Sequence, residues 1–157
     1  MKSAGIDLIY SSDITRDKET SEIIGKELGL EVVFDERLRE VNFAEYNERP
    51  YNEFDSKYSF EERWTKAPKG GETNMGIQKR MLDFINEINK KHEGKKILVV
   101  SHGDPLRITM KYFGSERPYP NYADPFEMDV SIADLHRPNI DEVVIQCKEC
   151  GKDANLS

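Results

Sequence analysis

Hydrophobic residues alternate along this chain between short apolar runs and stretches in which they recur every three or four positions. The apolar runs are typical of strands and lie at residues 5–12, 30–38 and 96–101. The stretches with helical spacing lie at residues 13–29, 73–92 and 104–113. Strands that alternate with helices predict an α/β fold of three layers, a mostly parallel sheet with helices on both faces.

The helix boundaries carry their own signals. Ser12 or Asp13 can cap the first helix, and Gly29 supplies its end. Pro105 falls in the first turn of the last helix, where a missing N–H costs nothing. The predicted core faces are formed by apolar residues at helical spacing: Ile23, Ile24 and Leu28 in the first helix, and Met75, Met81, Leu82, Ile85 and Ile88 in the second.

Two stretches lack this regularity. Residues 43–71 are aromatic and polar, with prolines and glycines, and predict a long excursion with at most one helix near residues 51–64. Such excursions usually form a wall or lid, so this one and residues 114–128 are candidates for substrate selection. The change of character after Gly114 predicts a core at residues 1–114 and a linker with a tail at 115–157.

Charge and hydropathy narrow the classes of function. The net charge of −7 is spread over the 157 residues without a basic face, so direct nucleic-acid binding by the core is not expected. No apolar run approaches the roughly 18 residues that span a bilayer, and the first residues do not form a signal peptide. The sequence therefore predicts a cytoplasmic protein without a membrane partner.

Polar residues follow the carboxyl ends of the predicted strands, which is where the ligand sites of parallel sheets lie. They are Ser11, Ser12 and Arg16, then Glu40, then Ser101, His102 and Gly103. Arginine and histidine near helix N-termini suit an anion such as phosphate, and a carboxyl group can protonate a leaving oxygen. The alternative is that Arg16 forms a surface ion pair, Glu40 is solvated and His102 caps a helix.

A resemblance to a family favours the first interpretation. Residues 5–113 contain four motifs, which are "IYSSDITRDKET", "LRE", "KGGET" and "VVSHGDPLR". These motifs and their order resemble those of the histidine phosphatase superfamily, which has a phosphoglycerate-mutase-like fold. The resemblance implies that Arg16 and His102 bind the phosphoryl group of a small phosphorylated molecule, supported by Ser12 and Gly103. It also implies that Glu40 is the proton donor, that Thr20 supports the helix, that Glu72 lies near the substrate, and that no cofactor is needed.

One expected feature is missing. The family attacks phosphate with a histidine in an Arg-His-Gly motif at the end of its first strand, and these 157 residues contain no such motif. His92 and His136 lie in unsuitable surroundings, so we predict an incomplete N-terminus and a chain that is inactive alone. We expect the missing strand to lie in the sheet between the strands formed by the first and third apolar runs. Without it, these two strands either leave an unfilled slot between them or pair directly with each other. An exposed edge favours a dimer or domain swap.

The tail carries a second resemblance. Residues 134–151, "DLHRPNIDEVVIQCKECG", are similar to a segment of isoleucyl-type class I aminoacyl-tRNA synthetases. Cys147 and Cys150 would form half of a zinc site, which needs a second ligand pair from elsewhere. The alternative function is therefore a non-catalytic module inserted in an isoleucine–tRNA ligase, with tRNA reached only through that parent, and a plain structural fragment is a third hypothesis.

Overall fold

Three parallel strands form the sheet of the core. The computed structural model describes residues 5–115 and 127, together with the backbone of two short strands further along the chain. The sheet strands are β1 (Leu8–Ser11), β2 (Val32–Phe34) and β3 (Ile97–Val100), in the order β2-β1-β3. The two short strands, β4 (Ile145–Gln146) and β5 (Asp153–Ala154), pair antiparallel within a second compact unit, residues 126–157.

β1 pairs directly with β3. The register runs from Leu8 opposite Ile97 to Ser11 opposite Val100. The Ser12 N–H extends the pairing, since it donates to the Val100 carbonyl oxygen at 2.9 Å. Of the two outcomes expected for these strands, direct pairing is therefore the one observed, and there is no slot between them.

Helices connect the strands. They are α1 (Thr15–Leu28), α2 (Tyr51–Asp55), α3 (Asn74–Lys91) and α4 (Gly103–Tyr112), with short 3₁₀ turns at Glu36–Leu38, Ala44–Tyr46 and Glu62–Trp64. The excursion at residues 43–71 thus holds one short α-helix and two 3₁₀ turns. No helix among residues 5–115 is long and apolar enough to cross a membrane.

Neighbouring residues of β1 point to opposite faces of the sheet, as strand geometry requires. Ile9 is fully buried on the side of α1, whose Gly25 lies against its side chain. Tyr10 faces α3, where its ring meets Phe84 edge-on at 5.4 Å between centroids. The predicted α/β fold, a parallel sheet with helices on both faces, is confirmed.

The core faces agree only in part with the predicted pattern. Met81, Leu82, Ile85 and Ile88 are buried on α3 as predicted. The prediction that Ile23 of α1 faces the core is wrong, because its side chain is 66% exposed. The buried residues of α1 are Ser21 and Gly25. Helix α1 therefore approaches the sheet through its small residues rather than through an apolar stripe.

The run of branched apolar residues in β3 is typical of a strand that is buried on both faces, but β3 is not buried in this way. All four of its residues are only half-buried. In the described sheet β3 is an edge strand with one hydrogen-bonded neighbour, β1. The run of branched apolar residues correctly predicts a strand, but it does not distinguish a central position from an edge.

The close approach of α1 to the sheet can be tested at Gly25. A Cβ there would lie 2.7 Å from the Leu30 carbonyl oxygen and 2.9 Å from Val32 Cγ2. We expect Gly25→Ala to lower the free energy of unfolding by about 1–2 kcal/mol, because overpacking outweighs the helix preference of alanine. Chemical denaturation followed by circular dichroism measures the change.

Gly76→Ala is the matched control, because a Cβ at Gly76 of α3 meets only Thr73 Oγ1 at 3.5 Å. It should leave stability unchanged or raise it by up to about 1 kcal/mol. Equal effects of the two substitutions would contradict the packing described for α1.

Candidate active site

The candidate site lies where β1 and β3 end. Ser12 follows β1 and His102 follows β3, so the direct pairing of the two strands brings these residues together. Ser12 Oγ lies 2.8 Å from Nε2 of His102, and both side chains are buried. The strand pairing therefore places Ser12 against His102.

His102 occupies the N-cap position of α4 but does not cap it. Its backbone is extended, and its side chain makes no capping hydrogen bond. The imidazole instead lies against α1, where Nη2 of Arg16 is 2.8 Å from Nδ1. The alternative interpretation of His102 as a helix cap is wrong, because the ring is held between β1 and α1.

The contacts with Arg16 and Ser12 determine which ring nitrogen of His102 carries the proton. A guanidinium group only donates hydrogen bonds, so Nδ1 accepts from Arg16 and carries no proton. In the neutral ring the proton is then on Nε2, which donates to the Ser12 hydroxyl oxygen. The unshared electron pair on Nδ1 consequently points to the side of the ring where Arg16 and Glu40 lie.

Glu40 completes a cluster with Arg16 and His102. Its Oε2 lies 3.7 Å from Arg16 Nη2 and 4.0 Å from His102 Nδ1, and its Oε1 accepts from the Val41 N–H at 3.0 Å. Burial raises the pKa of Glu40 above its ordinary value, although the Val41 N–H and the neighbouring positive charge act in the other direction. Glu40 is therefore suited to hold a proton and donate it.

The turn that carries Glu40 is held from two sides. The hydroxyl of Ser101 donates to the Leu38 carbonyl oxygen at 2.8 Å. On the other side Arg80 of α3 donates to the carbonyl oxygens of Arg37 and Glu40. These bonds fix the backbone of residues 37–40 relative to the end of β3 and to α3.

Glu72 lies in this supporting layer. Its carboxylate accepts from Arg80 Nε at 2.9 Å and from the Asn42 N–H at 3.2 Å. Two other residues implied by the resemblance have local positions: the Thr20 hydroxyl donates to the Arg16 carbonyl oxygen at 2.9 Å, and Gly103 begins α4 beside His102. Gly103 thus contributes an N–H of the first helical turn.

Sequence analysis missed a buried ion pair behind the cluster. Arg63 of the 43–71 excursion is 2% exposed and donates to Oδ2 of Asp104 at 2.8 Å. Asp104 follows His102 by two residues and is one cause of the raised pKa of Glu40. The excursion is thereby connected to the start of α4, and neither residue stands in a motif that would have revealed the pair.

Asp17 was also missed. Its Oδ2 lies 2.9 Å from Nε2 of His102, on the first turn of α1. The only available signal was its place beside Arg16, which does not by itself indicate that both side chains face one histidine.

The predicted zinc half-site at Cys147 and Cys150, the synthetase-like tail and His136 lie outside the residues whose side chains the structure describes. Within the described residues, no group of three or more histidine, cysteine, aspartate or glutamate side chains is arranged to hold a metal ion. His92 lies inside the described range, and its Nε2 bonds the Tyr10 hydroxyl at 2.9 Å. That bond joins the end of α3 to β1, away from the cluster.

A parallel α/β sheet with an arginine, a histidine and a carboxyl group at the strand ends is an arrangement that can bind an anion. A model of the histidine phosphatase superfamily, branch 1, matches residues 1–137. The chain therefore belongs to the histidine phosphatase superfamily.

Individual relatives agree with this assignment. The chain is 31% identical over 108 residues to phosphoserine phosphatase 1 of Hydrogenobacter thermophilus, covering 65% of this chain and 51% of that protein. It is 35% identical over 115 residues to the probable phosphoglycerate mutase GpmB of Yersinia enterocolitica, covering 68% and 52%. The chain thus spans about half the length of these curated relatives.

Solved structures show the same fold. YhfR of Bacillus stearothermophilus superposes with a TM-score of 0.63 at 27% identity, covering 80% of this chain and 65% of that chain. A mycobacterial glucosyl-3-phosphoglycerate phosphatase superposes with a TM-score of 0.61 at 23% identity, covering 71% and 58%.

The burial of Glu40 predicts how stability depends on pH. A carboxyl whose pKa is raised on folding binds its proton more tightly in the folded state, so stability is lost as the pH rises from its ordinary pKa through the raised one. Glu40→Gln removes this loss. We expect the stability of the variant relative to wild type to increase as the pH rises above the ordinary pKa of glutamate, about 4.3.

Denaturation at several pH values measures this gain. Glu36→Gln is the comparison variant, because it removes one carboxylate from an exposed position four residues earlier. If Glu40→Gln and Glu36→Gln change with pH in the same way, burial of Glu40 does not control its proton.

Proposed function

We propose that this chain binds the phosphoryl group of a small phosphate ester at the cluster of Arg16, His102 and Glu40. The observation that carries the proposal is the convergence of these three side chains within 4.0 Å at the ends of β1 and β3. Arg16 is 63% exposed, so its guanidinium can leave Nδ1 of His102 and bind an incoming anion.

Each residue has a distinct role in the proposed site. Arg16 and His102 donate to the phosphoryl oxygens, and the N–H of Gly103, in the first turn of α4, adds a backbone donor. Ser12 keeps the imidazole in place. Glu40 protonates the oxygen of the leaving group, for which its raised pKa is favourable. Positioned donors of this kind stabilise the charge of the transferring phosphoryl group.

The names of the relatives support this substrate class. A phosphoserine phosphatase and a probable phosphoglycerate mutase are both named for small phosphorylated compounds. For proteins of this family that carry the Arg-His-Gly motif we infer phosphoryl transfer to its histidine followed by hydrolysis. The 157 residues contain no Arg-His-Gly motif that would supply this histidine, so we propose that the chain alone binds phosphate esters without turnover.

The synthetase-module hypothesis stays a prediction. It depends on residues 134–151, of which the structure describes only the backbone of β4. Phosphate binding is the function we favour, because its residues lie in the described part of the chain and contact one another there.

Phosphate affinity tests the proposed site. Titration calorimetry with inorganic phosphate should detect binding to wild type, and Arg16→Gln should weaken it by about 10- to 100-fold, because a charge-assisted hydrogen bond contributes about 1.5–3 kcal/mol. Arg39→Gln is the matched control, since Arg39 is also exposed and pairs with Asp13 rather than with His102. Absence of binding, or equal losses in the two variants, would contradict the proposal.

Turnover tests the second part of the proposal. The wild-type chain should hydrolyse p-nitrophenyl phosphate no faster than the background. Rapid hydrolysis that His102→Ala abolishes would show that the chain is a phosphatase without the Arg-His-Gly histidine, and would contradict the proposed inactivity.

A further inference from the structure

Asp17 has a buried carboxylate oxygen that no hydrogen bond satisfies. Its side chain is 14% exposed, and Oδ2 has no hydrogen-bond partner among the described residues. A buried charge without a partner is costly, unless an opposite charge lies close to it. The nearest group with a potential positive charge is the imidazole of His102, whose Nε2 lies 2.9 Å from Oδ2.

The protonation of His102 must change when an anion binds. In the structure Nδ1 accepts from Arg16 and is unprotonated. A phosphoryl oxygen is an acceptor, so Nδ1 needs a proton to bond to it. Moving the Nε2 proton to Nδ1 would leave an unshared electron pair on Nε2 facing the Asp17 carboxylate at 2.9 Å, so Nε2 keeps its proton and the proton on Nδ1 comes from solvent. With Nε2 already protonated, the ring then becomes an imidazolium ion that carries a full positive charge.

The charged groups around the ring differ in what they can do for this ion. Arg16 and Glu40 face Nδ1, where the anion would bind, and Glu40 has a raised pKa because it is buried. Asp104, two residues after His102, is already paired with Arg63. At Nε2 the neighbours are the neutral hydroxyl of Ser12 and the carboxylate of Asp17.

We propose that Asp17 is a positioning residue that stabilises the doubly protonated form of His102 when a phosphate group binds. This inference rests on the proposed function, since it explains how His102 can donate to a phosphoryl oxygen. Asp17 holds the Nε2 side of the ring by its charge, while Ser12 holds it by a hydrogen bond. Anion binding is then coupled to uptake of one proton at Nδ1.

The test compares Asp17→Asn with wild type, using inorganic phosphate as the probe. Asparagine has nearly the same shape as aspartate but no charge. We expect the affinity for phosphate to fall by about tenfold or more, because one interaction with a charged partner is lost. Glu19→Gln is the matched control on the same helix, since Glu19 is exposed, and it should bind phosphate as wild type does.

Nitrogen-15 NMR of the His102 ring separates this role from a merely structural one. In phosphate-bound wild type both ring nitrogens should carry a proton, and in Asp17→Asn a large fraction of the rings should keep one unprotonated nitrogen. A variant that loses affinity but keeps both nitrogens protonated would overturn the inference, as would unchanged affinity. Wild type that binds no phosphate would overturn the proposed function itself, and the inference with it.

Discussion

The parallel pairing of β1 with β3 is the interaction on which the candidate site depends. It aligns Ser11 with Val100, and Ser12, the residue directly after β1, continues the pairing through its N–H. The two chain segments that follow these strands start side by side as a result. Ser12 and Arg16 follow β1 in the sequence, and His102 follows β3. For this reason His102 lies within hydrogen-bond distance of two residues that are far from it in sequence.

Charged side chains surround the imidazole of His102, and further ion pairs hold the elements that carry them. Arg16, Glu40 and Asp17 surround the imidazole of His102 on its two nitrogen sides. Arg80 donates to the Glu40 carbonyl oxygen and holds its turn in place. Arg63 forms an ion pair with the carboxylate of Asp104. A buried ion pair of this kind is weak evidence for stability, but it connects the 43–71 excursion to the helix that begins beside His102. The carboxylate of Asp104 also contributes to the raised pKa of Glu40.

Sequence alone predicted the three strands of the parallel sheet and, closely, three of the four α-helices. It also singled out Arg16, Glu40 and His102, which the structure brings together. Those features follow from local periodicity or from motifs that end strands. The errors arose where tertiary packing decides. Ile23 is exposed because α1 packs through Gly25, and β3 is half-buried because it lies at an edge of the described sheet. The contact of Asp17 with His102 depends on strand order, which residue spacing does not encode.

The central claim is that His102 is an anion ligand and not a helix cap. The most direct measurement is a crystal structure of the wild-type chain soaked with tungstate, an anomalous scatterer that replaces phosphate. We expect one tungstate ion between Arg16 and Nδ1 of His102, with Nε2 still against Ser12 and Asp17. A structure in which Arg16 stays bonded to Nδ1 and the tungstate binds elsewhere would contradict it.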